Sequence, residues 1–241
     1  MPKNTKTKYK RILLKMSGEG FGGENGKGID TEKFVTFAKT LKKILSLGVE
    51  TALVIGGGNV LRGAKLGRSG KSRIVADQAG MIATILNAVL LQDTLENHDI
   101  KTHVISAIEI RNITEPFILR NCFQYLKERN IIIFAGGTGN PYFTTDTAAA
   151  LRAIEINADV MLKATRVDGV YTDDPMKNPS AKLLNKLTYT DVLNQQLGVM
   201  DMTAISLSME NKLPIIVLNM NKTGNIEKAV MGKSVGTFIG N

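Results

Sequence analysis

Residues Ala135–Asp146 read AGGTGNPYFTTD and directly follow the apolar run Ile131–Phe134. A β-branched run that gives way to Gly-Gly-Thr-Gly-Asn-Pro is typical of a buried strand that ends in a tight, exposed turn. Two threonines and an aspartate then open the small-residue segment Thr147–Ile156, for which a helix is predicted. Such a loop offers backbone N–H groups and hydroxyls to an anion, with a helix dipole behind them. The stretch therefore predicts a strand–loop–helix unit that handles phosphate.

The alternation of apolar strands and helices continues on both sides of this unit. Strands are predicted over Tyr9–Met16, Val49–Ile55, Ile100–Ile105, Ile131–Phe134, Val160–Leu162, Ile215–Leu218 and Ser234–Ile239. Helices are predicted from the cap Asp30 to Leu47 and over Ile74–Leu95, Glu115–Arg129, Asp146–Ile156, Asp191–Gln196 and Asp201–Asn211. This order favours an α/β three-layer sandwich, in which a mostly parallel central sheet carries helices on both faces. Because no linker or repeat divides the chain, one domain is expected over residues 1–241, with residues 1–8 as a flexible basic tail.

Composition narrows the function classes. The chain has 241 residues, a formal net charge of +9, one cysteine and two histidines, which excludes an internal disulfide and a typical zinc site. No apolar run is expected to be long enough to span a membrane. The basic N-terminus lacks the apolar segment of a signal peptide. We therefore expect a cytoplasmic protein with no membrane contact. The scattered lysines and the 5% aromatic content without Trp argue against a nucleic-acid platform.

Three glycine- or hydroxyl-rich turns follow predicted strands. They are Ser17–Gly28, Gly56–Asn59 and Gly136–Thr145. Ligands of open parallel sheets bind at the carboxyl ends of the strands, so these turns are expected to meet at one edge. Their convergence indicates a binding site more strongly than any one glycine turn does.

Three familiar motifs fit only in part. Gly18-x-Gly20-x-x-Gly23 matches the dinucleotide fingerprint, but the loop continues where that fingerprint opens its helix. Gly70-Lys71-Ser72 resembles the end of a P-loop, yet Lys65 stands where the leading glycine is required. Serine hydrolysis has little support, because no histidine lies at a suggestive spacing from the candidate serines.

Two lysines and three other charged residues are candidates for phosphoryl-transfer chemistry. Lys15 closes the first apolar strand and Lys163 follows the strand Val160–Leu162, so both are expected to reach the ligand edge. Such cations stabilise charge on a transferring phosphoryl group. Arg62 is either a phosphate contact or a surface arginine, and Asp77 either binds ribose hydroxyls or complements the helix dipole. Asp146 either caps its helix or orients both lysines.

These residues carry a resemblance to the bacterial uridylate (UMP) kinases of the amino acid kinase superfamily. The matching segments lie in family order along nearly the whole chain. They are Lys10–Glu19, Val54–Gly63, the region of Asp77, Ala135–Asp146, Leu162–Pro175 and Leu213–Met220. The blocks GTGNP–F-TTD and LKAT–VDGVYT–DP are the specific ones.

The resemblance implies transfer of the ATP γ-phosphoryl group to UMP, with Mg²⁺ on the phosphates and no metal ligands from the protein. It implies catalytic roles for Lys15, Asp146 and Lys163. It implies ATP contacts at Lys15, Met16, Ser17, Gly18, Gly58, Arg62, Thr165, Tyr171 and Asp174. It implies UMP contacts at Gly57, Asp77, Thr138, Gly139, Asn140, Pro141, Tyr142, Phe143, Thr144 and Thr145.

The resemblance also implies a homohexamer with UTP as feedback inhibitor. Activation by GTP is in doubt, because Gln92 and Asn130, with His103 near, stand where activated relatives tend to carry arginines. Two alternatives stay open. One is a sibling kinase that phosphorylates a carboxylate or carbamate, and the other is a nucleotide-sensing protein that binds DNA without catalysis.

Overall fold

A computed structural model describes residues 7–61 and 72–241. Its strands are β1 (Arg11–Met16), β2 (Glu50–Ile55), β3 (Thr102–Ser106), β4 (Glu115–Pro116), β5 (Ile131–Ala135), β6 (Val160–Thr165), β7 (Val170–Tyr171), β8 (Leu183–Leu184), β9 (Lys186–Leu187), β10 (Ile215–Asn219) and β11 (Thr237–Ile239). Its α-helices are α1 (Thr31–Ser46), α2 (Arg73–Glu96), α3 (Leu119–Lys127), α4 (Thr145–Glu155), α5 (Tyr189–Asn194), α6 (Met202–Glu210) and α7 (Asn225–Val230). Two 3-10 turns, Gly18–Phe21 and Glu24–Gly26, follow β1.

The central sheet has nine strands in the order β4-β3-β5-β2-β1-β6-β10-β11-β9. Every neighbouring pair is parallel except β10 and β11. The remaining strands, β7 and β8, form a separate antiparallel pair. The prediction of a mostly parallel sheet is therefore confirmed.

Successive residues of the strands enter two different cores. Ile12, Leu14 and Met16 of β1 pack with α1 and α2, whereas Leu13 packs with α3 to α6. This alternation follows from the period of two along a strand. Because both faces of the sheet are covered, the strands are apolar almost throughout. The three predicted layers are thus present.

The segment Glu115–Arg129 differs from its prediction. Only Leu119–Lys127 is helical, and Glu115–Pro116 instead pairs with the end of β3. A residue before proline disfavours the helical region, so Glu115 stays extended. Its carboxylate accepts a hydrogen bond from the Tyr125 hydroxyl at 2.8 Å and lies 2.7 Å from Nδ1 of His103.

Other departures are smaller. Strand β6 runs on to Thr165, so Lys163 lies inside it, and the short helix α7 was not predicted. Within the predicted tail, Lys8 already donates its backbone N–H to Val230 O at 3.1 Å.

Helix α2 has to be compared with the expectation that no segment is long and apolar enough to span a membrane. By length and composition alone it is apolar enough to cross a bilayer, with a mean hydropathy of 1.7, so the expectation that no segment approaches a span was too strict. Its residues Ala88, Leu91 and Leu95 are buried in the first core. This is the position of a core helix of an α/β domain.

Candidate active site

Strand register brings the two candidate lysines side by side. Lys15 of β1 is the direct partner of Lys163 in the parallel neighbour β6. Leu13 and Met161, two residues earlier in each strand, both face the second core, and residues two apart share a face. Both ammonium groups therefore project toward the layer that contains α4.

Asp146, in the first turn of α4, lies between these lysines. Its Oδ1 is 2.6 Å from Lys15 Nζ and its Oδ2 is 2.6 Å from Lys163 Nζ. The three side chains are only 10%, 13% and 13% exposed for Lys15, Asp146 and Lys163. The helix cap is Thr144, whose hydroxyl accepts from the N–H groups of Asp146 and Thr147. Asp146 is therefore not the cap, and its carboxylate contacts both lysines.

Burial and charge act against each other in this cluster. Burial opposes ionisation of Asp146, but the two ammonium groups outweigh it and hold the pKa of that carboxyl below its usual value. Burial lowers the pKa of Lys163, Asp146 opposes this, and Lys15 reinforces it. Two ammonium groups thus face one carboxylate in direct contact, and the Asp201 carboxylate further away also raises the pKa of Lys163. The two adjacent ammonium groups favour a bound anion.

The turns after β1 and β2 meet because their glycines lack side chains. A Cβ on Gly18 would lie 2.3 Å from Gly56 O, and one on Gly57 would lie 2.7 Å from the Ala83 Cβ. Asn87 secures the β2 turn from α2 by donating to Gly56 O at 2.8 Å and to Asn59 Oδ1 at 2.7 Å. The predicted contact residue Gly58 therefore lies beside Gly18, whereas Gly57 packs against α2.

The loop after β5 owes its path to three left-handed glycines. Gly136, Gly137 and Gly139 have φ angles of 75°, 60° and 81°, which only glycine adopts without strain. Thr84 of α2 fixes the start of the loop, because its hydroxyl oxygen accepts from Gly136 N at 2.8 Å. The glycines of the sequence AGGTG are thus needed for the backbone conformation of the loop.

Asp77 on α2 contacts the same loop further along. Its Oδ2 accepts from Tyr142 N at 2.8 Å and lies 3.4 Å from Arg73 Nε. Tyr142 itself has a φ of 73° although it is not glycine, a conformation that needs support from its surroundings. Asp77 supplies one such contact and so shapes the segment Thr138–Thr145.

Two adjoining cavities lie at this edge of the sheet, and one of them opens next to the lysines. One, of about 240 Å³, is lined by Lys15, Ser17, Lys163 and Thr165, among others. The other, of about 470 Å³, includes Thr165, Tyr171 and Asp174 in its walls. Since Thr165 belongs to both, the phosphate-sized space adjoins the larger one. Met16 differs from these residues, because its side chain is fully buried and only its backbone is available there.

Comparison with known proteins agrees with this geometry. A model of the amino acid kinase family matches residues 10–219. The chain belongs to the amino acid kinase family. It is similar to solved UMP kinases from Bacillus anthracis (37% identity, TM-score 0.93, 96% of each chain covered) and Ureaplasma parvum (34%, 0.89, 96% of this chain and 99% of that one). A uridylate kinase from Archaeoglobus fulgidus is 29% identical, with a TM-score of 0.71 over 95% of this chain and 99% of that one.

The sequence analysis did not identify Asp201 as a site residue. Asp201 caps α6 by accepting from Ala204 N at 2.9 Å, and it also accepts from the hydroxyls of Thr144 and Thr147. Lys163 donates to the nearby carbonyl of Val199. An aspartate before an apolar helix signals a cap, but that pattern carries no information about threonines more than fifty residues earlier.

The candidate site residues of this protein thus lie mostly at one edge of its sheet. Lys15, Asp146 and Lys163 are in direct contact, and Thr144–Thr145 begin the helix that carries Asp146. The predicted contact Arg62 lies outside the described residues.

Proposed function

We propose that this protein transfers the γ-phosphoryl group of ATP to UMP and releases ADP and UDP. The observation that carries the proposal is the Lys15–Asp146–Lys163 cluster at the carboxyl ends of β1 and β6. Similarity to solved UMP kinases over 96% of the chain supports UMP as the acceptor.

The lysine pair acts on the transferring group. A phosphate oxygen of UMP is already ionised at neutral pH, so the reaction needs no strong general base. Catalysis then consists of alignment and neutralisation of charge, for which Lys15 and Lys163 supply fixed ammonium groups. Each contact of this kind lowers the barrier by about 2–4 kcal/mol in comparable enzymes. Asp146 keeps the two lysines together and holds their positions.

The donor is ATP as its Mg²⁺ complex. Within residues 7–61 and 72–241, no group of three His, Cys, Asp or Glu side chains is placed to hold a metal. Oxygen ligands on the phosphates suit Mg²⁺, which keeps several of its waters in such complexes. The 240 Å³ cavity beside Lys15 suits the phosphates, and the adjoining cavity with Tyr171 and Asp174 suits the nucleoside.

The acceptor occupies the other side of the lysines. Gly57 and the loop Thr138–Thr145 supply backbone N–H groups and hydroxyls for UMP, and Asp77 accepts from the ribose. Asp77 is well placed for this, because it already joins α2 to the loop through Tyr142 N.

The assembly is proposed to be a homohexamer in the cytoplasm, with UTP as inhibitor. Exposed apolar side chains on α2, among them Val75, Ile82 and Leu86, support self-association. GTP activation stays doubtful: the Asn130 amide faces Nε2 of His103 at 3.3 Å, and Gln92 donates to Thr102 O at 3.0 Å. In this chain these polar groups already contact one another or the backbone.

One assay tests the function against its alternatives. ADP release is measured from ATP and Mg²⁺ with UMP, CMP, dUMP or acetylglutamate offered singly. Strong turnover with UMP is expected. Preferred turnover of acetylglutamate would instead identify a carboxylate kinase, and nucleotide binding without ADP would identify a sensor.

A further inference from the structure

A third cavity, of about 630 Å³, lies next to the phosphate-sized cavity. It is bounded by α1, by the 3-10 turns after β1 and by the connection from β10 to α7. Its volume falls within the range of small-molecule sites, which is about 300–1,000 Å³. We call it the α1 cavity. It shares the wall residues Glu19, Gly20, Arg166 and Met220 with the phosphate-sized cavity.

The lining of the α1 cavity is predominantly basic. Five lysines and arginines contribute to it against two glutamates, Glu19 and Glu227. Three of the five cations have acidic partners. Arg166 is 3.2 Å from Glu19, Lys222 is 2.8 Å from Asp168, and Lys33 is 3.8 Å from Asp30.

The other two cations, Lys39 and Lys43, have no acidic partner within residues 7–61 and 72–241. They stand four residues apart on α1, so they lie one above the other on the same face and repel each other. Thr36 and Thr40, on the same wall, add hydroxyl groups beside them. A bound anion would relieve the repulsion and accept hydrogen bonds from both lysines.

The floor of the α1 cavity is apolar. Phe21 and Phe37 are buried, with ring centroids 5.6 Å apart in an edge-on arrangement, and Met220 and Ile226 complete the surface. A flexible thioether beside aromatic rings adapts to flat apolar groups. The cavity therefore combines a surface for a ring with a rim for an anion.

From this combination we infer that the α1 cavity binds a small organic phosphate with a flat apolar ring, in addition to the two nucleotides of the reaction. Lys39 and Lys43 hold the phosphate, and Phe37, Met220 and Ile226 contact the ring. The site does not depend on the proposed kinase activity, because Lys39, Lys43, Phe37 and Ile226 do not line the cavity beside Lys15 and Lys163, although Met220 lines both.

Pyridoxal 5′-phosphate is a suitable probe, because it has an aromatic ring, a phosphate and an aldehyde that forms an imine with a nearby lysine amine. The full-length protein is treated with the probe, reduced with borohydride and mapped by peptide mass spectrometry. Lys39 or Lys43 should be labelled about tenfold faster than Lys42, which shares α1 but contacts His98 O and Asp99. Excess inorganic pyrophosphate should suppress this labelling, whereas sodium chloride of equal ionic strength should not.

A second measurement uses the non-reactive analogue pyridoxine 5′-phosphate and calorimetric titration. The double variant Lys39→Gln/Lys43→Gln should bind it about tenfold more weakly than the wild type, while Lys42→Gln stays within about twofold. Exposed lysines on a helix tolerate glutamine, so folding is expected to persist and is checked by the melting temperature. Equal labelling of Lys39, Lys42 and Lys43, or equal affinity in both variants, would overturn the inference. Labels on Lys15 or Lys163 map separately and report on the nucleotide site instead.

Discussion

At the scale of single residues, Asp77 has two tasks that one substitution can separate. Its carboxylate accepts from Tyr142 N in the protein and is proposed to accept from the ribose of UMP. Asp77→Asn retains an acceptor oxygen for Tyr142 but loses the charge. The KM for UMP should therefore rise much more than the KM for ATP in steady-state kinetics. Asp93→Asn, on the same helix, is the control, and an equal rise in both KM values would refute the assigned role.

Asp146 acts on the pKa of Lys163. Its charge raises the pKa of Lys163 against the lowering effects of burial and of Lys15. In Asp146→Asn this support is lost, so the pKa of Lys163 falls further and the ammonium deprotonates at a lower pH. The alkaline limb of the kcat profile should shift toward lower pH, and kcat should drop by about two orders of magnitude. Asp99→Asn is a matched exposed control; an unshifted alkaline limb would argue against Lys163 as the titrating group.

Residue identities in this site were predictable only in part. Lys15 and Lys163 stand next to apolar runs, and parallel strands end at one edge, so their meeting followed from the pattern. The role of Asp201 did not follow, because its link to Thr144 and Thr147 exists only after α4 and α6 have packed together. Long-range side-chain hydrogen bonds of this kind leave no trace in local periodicity.

At the scale of elements, the glycines after β5 determine the path of the binding loop. Gly136 has a φ of 75°, and a Cβ there would lie 2.9 Å from Ser106 Oγ and 3.0 Å from Ile108 N. Gly136→Ala should therefore lower the free energy of unfolding by about 1–3 kcal/mol. At Gly80, within α2, a Cβ would meet nothing within 4 Å. Gly80→Ala should therefore raise the free energy of unfolding by about 0.5–1 kcal/mol.

Urea denaturation of both glycine variants measures these changes. The prediction fails if the two alanines have the same effect, because the argument depends on backbone conformation and not on glycine content.

The ends of helices were predicted best where the apolar periodicity and a capping residue indicated the same boundary. Helix α1 begins after the predicted cap Asp30, whose side chain accepts from Glu32 N. The weakest prediction is the helix from Glu115, because Pro116 disfavours the helical conformation at the residue before it. The hairpin β7–β8 has only two residues per strand and offers too little pattern to detect.

At the scale of the whole molecule, α2 presents an uncovered apolar stripe. Val75, Ile82 and Leu86 are 54%, 58% and 42% exposed, and their spacings of seven and four residues place them on one side of the helix. If this stripe forms a contact between copies, Ile82→Asp should shift the protein toward smaller species in sedimentation velocity experiments. Met176→Asp, at an exposed position outside α2, should leave the distribution unchanged. An unaltered distribution for Ile82→Asp would exclude this face from the assembly.

The two ammonium groups beside Asp146 have a consequence for thermal stability. Two buried ammonium groups that face one carboxylate make the protein less stable than a single ion pair would. Enzymes commonly have such a loss of stability at sites that are needed for activity. Lys163→Met removes one of the two ammonium groups and leaves the Lys15–Asp146 pair, so this inactive variant should melt at a higher temperature than the parent. Lys127→Met at the surface serves as its comparison. Added inorganic phosphate should stabilise the parent protein by relieving the same repulsion, and should do much less for the methionine variant.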